Sequence, residues 1–148
     1  MEDRASPSLF RSRPARRRNR THSRLIVARS PQILLIEDDS ELAEVIAEVL
    51  RIEGCRVSRA ADGLAALTIL AERELPDLIL LDLMMPNMNG WEFRAAQLRD
   101  ARLAKIPVVV LSATGERSRP IDAARILRKP VSIETLLSAV RKFARTSD

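Results

Sequence analysis

Tyrosine is absent from this 148-residue chain, and aromatic residues make up only 3% of it. Its core therefore has to be built from Leu, Ile, Val, Ala and Met. The single cysteine, Cys55, excludes an internal disulfide. Placed after Gly54 where a strand begins, it reads as buried filler rather than nucleophile and fits a reducing, cytoplasmic setting. The single histidine, His22, has no neighbours with which to build a metal site and receives no role. No apolar run approaches the roughly 20 residues that span a bilayer, so no membrane span is expected. Leu25 to Ala28 falls short of the about 7–15 residues of a secretory signal core. No phosphate-cradling glycine loop or nucleophilic triad is present, which argues against a free-standing enzyme.

What is present is 46% hydrophobic residues, enough for one domain with a proper core. The net charge of +5 divides unevenly. Residues 1–30 hold nine Arg against Glu2 and Asp3, a balance of +7, which leaves −2 for residues 31–148. The first segment, centred on Arg16, Arg17 and Arg18 and without apolar period, is expected to be a disordered tail. It can touch phosphate-bearing surfaces, resembles a transit peptide in composition, and is equally well read as a passive extension. It has no interleaved aromatics and no base-reading module, so sequence-specific DNA binding is not expected.

From Gln32 the character changes. Ile33 to Ile36 is a buried-strand run ending in Glu37, Asp38 and Asp39, and Ser40 is expected to cap a helix through about Glu53, with Leu42, Val45, Ile46, Val49 and Leu50 at helical spacing. A short strand over Arg56 to Ala60 leads to Asp62, which caps a helix carrying Leu64, Leu67 and Leu70. Leu78 to Leu81, bounded by Pro76 and Pro86, suits a central strand covered on both faces and delivers Asp82 at its end. Gly90 opens a helix through about Asp100; strands follow at Pro107 to Leu111 and Arg125 to Arg128; Ser132 caps a last helix with Ile133, Leu136, Leu137, Val140 and Phe143 as its stripe and Arg141, Lys142 and Arg145 in its last turn.

Strands alternating with helices pair in parallel through right-handed crossovers, so their carboxyl ends share one edge. On that edge fall Glu37, Asp38, Asp82, Ser112 and Lys129, each directly after an apolar run. Three gathered carboxylates repel and need a cation. Mg²⁺ suits them, with Asp38 and Asp82 as direct ligands, Glu37 through water, and the backbone carbonyl of Met84 as a neutral ligand. An ionised Asp82 can attack phosphorus, with Lys129 and Ser112 left to meet phosphoryl oxygens. A cis bond before Pro130 is expected to aim Lys129 inward.

These residues, in I-L-L-I-E-D-D, D-L-I-L-L-D-L-M-M-P-N-M-N-G, P-V-V-V-L-S-A and L-R-K-P, closely resemble the receiver domain of two-component response regulators over about Gln32 to Arg145. The resemblance implies a doubly wound α/β fold of flavodoxin-like type, a five-stranded parallel sheet of order 2-1-3-4-5 in residues 31–148. It implies that Asp82 is the phosphoacceptor, Glu37 and Asp38 the acidic pair, Ser112 the switch hydroxyl and Lys129 the family's lysine. It further implies a sensor histidine kinase or phosphotransfer protein as donor and signalling through contact with another protein.

Two departures stand out. Ile126 occupies the position of the family's switch aromatic, and Lys129 comes only seventeen positions after Ser112, with Pro120 interrupting the stretch. The helix between the fourth and fifth strands is accordingly expected to be shortened or lost. With the chain closing soon after its last helix, a stand-alone, cytoplasmic receiver is expected, whose only activity is self-dephosphorylation at a rate set near Met84 and Thr114. The competing reading is a pseudo-receiver, a phosphorylation-independent interaction module.

Overall fold

The computed structural model describes residues 29–113 and 119–144. Expectations for the tail before Arg29, His22, Thr114 and Arg145 lie outside the described residues. Five strands, β1 (Gln32–Ile36), β2 (Arg56–Ala60), β3 (Leu78–Asp82), β4 (Val108–Ser112) and β5 (Arg125–Arg128), form one parallel sheet in the order β2-β1-β3-β4-β5. The expected order is the one observed. β3 and β4 are buried at every position, as continuous apolar runs in the middle of a two-sided sheet should be.

Helices cover both faces. On one side α1 (Ser40–Ile52) and the last helix, α5 (Ile133–Phe143), pack on Ile33, Leu35, Leu78, Leu80, Val109 and Leu111. On the other, α2 (Gly63–Glu72), α3 (Gly90–Leu98) and the one-turn α4 (Ala101–Ala104) cover Leu34, Ile36, Ile79, Leu81, Val108 and Val110. The alternating numbers along each strand are the two-residue period of a sheet seen from its two faces.

Local chemistry sets the boundaries. Asp39, not Ser40, caps α1, since its carboxylate accepts from the amides of Glu41 and Leu42, both at 3.1 Å. Asp62 and Ser132 cap α2 and α5 as expected. The helix expected to run to Asp100 stops at Leu98; Asp100 instead caps α4 by accepting from Arg102 N at 2.9 Å. Val45, Leu64 and Ile133, expected on buried stripes, are exposed, and the small Ala43, Ala47 and Ala66 take the sheet-facing positions. Helices lying close on a sheet favour small contact residues, which a search for large apolar residues passes over.

Between β4 and β5 the described residues 119–124 carry no helix, in keeping with the short spacing there. They are strapped to α3 instead. The Trp91 indole donates to the Arg119 carbonyl at 3.4 Å with the Arg119 guanidinium 4.6 Å over its ring, and Arg94 Nε donates to the Asp122 carbonyl at 2.8 Å. Cys55 is buried and its thiol is pushed up, first by burial and then by Glu53, as suits inert filler. Among the described residues no helix is long and apolar enough to cross a membrane.

Candidate functional site

The order β2-β1-β3 reverses the direction of winding between β1 and β3, and at such a switch point the carboxyl ends of the two strands open a crevice. Register fixes what stands there. Leu81 lies beside Ile36, so Asp82 is one residue beyond that pair and faces Glu37, the residue after β1. Asp38 follows at the start of the turn into α1. Carboxylate oxygens of Glu37, Asp38 and Asp82 all lie within 4.8 Å of one another. Glu37 and Asp82 are both 3% exposed, whereas Asp38 is open to solvent.

Lys129 reaches this group from the position just past β5, and the bond that follows it, Lys129-Pro130, is cis as expected. Its Nζ donates to Glu37 Oε1 at 2.9 Å and to Asp82 Oδ1 at 3.1 Å. The lysine was expected to meet phosphoryl oxygens; here it bridges two buried acids. Burial pushes the Asp82 carboxyl up, the nearby Glu37 charge adds to this, and Lys129 opposes both, leaving Asp82 at about 7. Burial works against the Lys129 ammonium, but its bonds to Glu37 and Asp82 prevail and raise it above the ordinary lysine value. One ammonium against three carboxylates leaves the cluster acidic.

Ser112 is buried at the end of β4, one residue beyond Leu111, the register partner of Asp82. Its hydroxyl donates to the Ala113 carbonyl at 3.2 Å. Met84 is exposed in the loop after β3. The structure thus brings Glu37, Asp38, Asp82 and Lys129 into one contact group, with Ser112 at the end of the adjoining strand and Met84 two residues after Asp82.

Two residues that hold the site escaped the sequence reading. Gly90 was read only as a helix opening, yet its amide donates to the Leu83 carbonyl at 2.8 Å, and a Cβ there would stand 2.6 Å from the Asp82 carbonyl oxygen and 2.8 Å from Leu83 Cα. The start of α3 is pressed against the strand end that carries Asp82. Asn87, at φ +66°, donates to Asp62 Oδ2 at 2.6 Å and ties the loop after β3 to the cap of α2. An Asn in a loop after a proline was the available signal, since Asn tolerates the left-handed region.

An all-oxygen, net-negative donor set suits a hard divalent cation such as Mg²⁺, and Glu37, Asp38 and Asp82 are the residues that can hold it.

Comparison with known proteins agrees with this geometry. The family model for the response regulator receiver domain matches residues 33–141. RpaA of Synechocystis, a DNA-binding dual master transcriptional regulator, is 35% identical over 123 residues, 80% of this chain and 51% of that protein. The DNA-binding response regulator MtrA of Mycolicibacterium paratuberculosis is 37% identical over 123 residues, 79% of this chain and 52% of its own. The chain spans about half the length of the curated relatives it matches. The receiver domain of a sensor histidine kinase from Pseudomonas aeruginosa, solved with magnesium in its active site cleft, superposes with TM-score 0.73 at 28% identity, covering 78% of this chain and 98% of that one. The expectation that sequence-specific DNA binding is absent is overturned by RpaA and MtrA, both DNA-binding regulators. It rested on the lack of a base-reading module in residues that correspond to only half of such proteins.

Proposed function

Because the chain belongs to the response regulator receiver family, we propose that it accepts a phosphoryl group on Asp82 from the phosphohistidine of a sensor histidine kinase, in a Mg²⁺-dependent reaction, and signals through changed protein contacts. The observation that carries this reading is the contact group itself: a buried Asp82 at a strand end, beside two further acids and bonded to Lys129. Structural ion pairs do not require a third carboxylate beside them.

In the transfer an Asp82 carboxylate oxygen attacks phosphorus and forms an acyl phosphate, while the P–N bond breaks and the leaving imidazole recovers a proton. When bound, a divalent cation at Glu37, Asp38 and Asp82 supplies positive charge that screens the acids and offsets the phosphoryl oxygens. Lys129 lies within reach of the Asp82 oxygen and is free to shift its second hydrogen bond from that carboxylate to the incoming group. Ser112 offers a hydroxyl from the adjoining strand, and turning it from Ala113 toward the phosphoryl group is the local event that biases the connection after β4. Hydrolysis of its own acyl phosphate is the one catalytic activity assigned, and a cytoplasmic location goes with the reading.

The test is intact mass after incubation with acetyl phosphate. One added phosphoryl group is expected with Mg²⁺, none with EDTA and none in Asp82→Asn. A folded protein that gains no phosphoryl group from acetyl phosphate or from a histidine kinase is instead an interaction module, the competing reading.

A further inference from the structure

The loop from Leu83 to Asn89 contains neither strand nor helix, yet it is tied down along its length. At its base Gly90 N donates to the Leu83 carbonyl at 2.8 Å. Toward its far end Met88 N donates back to the Pro86 carbonyl at 2.7 Å, closing a three-residue turn with Asn87 at its centre, at φ +66°. Three-residue turns with positive φ are rare and strained, and such strain persists only where surrounding structure imposes it.

The start of α2 imposes it. Asn87 Nδ2 donates to Asp62 Oδ2 at 2.6 Å, while Asp62 Oδ1 accepts from Ala65 N at 2.8 Å, so one carboxylate serves both the loop and the helix cap. Beside it Gly63 N donates to the Met88 carbonyl at 3.1 Å, and a Cβ on Gly63 would stand 2.6 Å from Met88 Cγ. The Ala65 amide first and the Asn87 amide second hold the Asp62 carboxyl below its ordinary value, which keeps it an ionised acceptor. Capping α2 needs only one oxygen; the other is given to a residue 25 positions away.

Given a divalent cation at Glu37, Asp38 and Asp82, the reading on which this rests, we propose that Asp62 and Asn87 are positioning residues for that cation. Their bond fixes the shape of the loop that leaves Asp82 and carries the Met84 carbonyl, while Asp62 itself stands outside the group of acids. A loop already held in shape gives up less freedom when one of its carbonyls becomes a ligand, so the cation binds more tightly. Removing partners that hold metal ligands in place typically costs about 10–100-fold in affinity. The coupling runs both ways: a bound cation makes the bond between Asn87 and Asp62 harder to break.

The full chain, without phosphodonor, is titrated with magnesium chloride and followed through its amide NMR signals. Asn87→Gly keeps the left-handed turn, which glycine adopts freely, and leaves the Asp62 cap intact. Asp62→Ser keeps a capping oxygen for α2 and gives up the second acceptor. Each is expected to raise the Mg²⁺ dissociation constant about tenfold, and the double variant no further, because both changes remove the same bond. With acetyl phosphate the variants should need more Mg²⁺ yet reach the wild-type rate of phosphorylation once it saturates. An unchanged dissociation constant in Asn87→Gly, losses that add in the double variant, or a rate that stays low at saturating Mg²⁺ overturns the proposal and leaves Asp62 a helix cap. A wild type that binds no Mg²⁺ removes the cation site and this inference together. Binding without any gain in mass from acetyl phosphate counts only against Asp82 as acceptor, and the dissociation constants still decide the role of Asp62 and Asn87.

Discussion

A carboxyl group that is 3% exposed and ionises near pH 7 makes Asp82 a cost to the fold before it is an asset to the chemistry. In the unfolded chain it ionises at about 3.9. Between that pH and about 7 the folded state holds a proton that the unfolded state has lost, so stability falls as pH rises through this window and stays low above it. Without divalent cation, Asp82→Asn is therefore expected to stabilise the protein at pH 8, with the gain shrinking toward pH 4. Urea denaturation across that range checks it, and a constant or inverted difference contradicts the assignment. Mg²⁺ should stabilise the wild type more than the variant, because binding to the folded state alone shifts the equilibrium. Residues of this kind were legible in the sequence because their chemistry is not interchangeable: acids and a lysine after apolar runs have few structural reasons to be there. What Lys129 touches was not legible, since its choice between a ligand and two neighbouring acids depends on distances.

At the scale of elements, the loop from Leu83 to Asn89 and the start of α3 decide how firmly Asp82 is held. Asn89 and Glu92 form a reciprocal cap, with Glu92 N donating to Asn89 Oδ1 at 2.8 Å and Asn89 N to Glu92 Oε1 at 2.9 Å. Gly90 follows in contact with the backbone of β3. Gly90→Ala is expected to cost about 2 kcal/mol, because the added methyl meets backbone that can yield only by moving Asp82. Thermal denaturation reads the cost, and a lower rate of phosphorylation from acetyl phosphate reads the displacement. An alanine variant as stable and as reactive as wild type contradicts this role. The existence of every element but the one-turn α4 was legible from apolar period and caps. Boundaries were missed where two capping residues stand side by side, as at Asp39 and Ser40, or where a helix restarts after a single turn, as at Asp100.

Across the whole molecule, parallel winding gathers the functional residues at one edge, and among the described residues β5 pairs with β4 alone. The sheet order was legible only through the resemblance to the receiver domain, whereas the site's position followed from strand and helix alternation, which puts the strand carboxyl ends on one edge. The connection before β5 was legible only as a shortage of residues; that Trp91 and Arg94 would hold it to α3 depends on long-range contacts that no local pattern announces. Everything proposed for signalling depends on the acyl phosphate forming at one carboxylate among the three gathered there. The most direct measurement is to treat the protein with acetyl phosphate and Mg²⁺, reduce the acyl phosphate with borohydride, and map the product by peptide mass spectrometry. Homoserine at position 82 alone is the predicted result. Reduction at position 37 or 38, or none in protein shown by intact mass to carry a phosphoryl group, would contradict the assignment of Asp82 as acceptor.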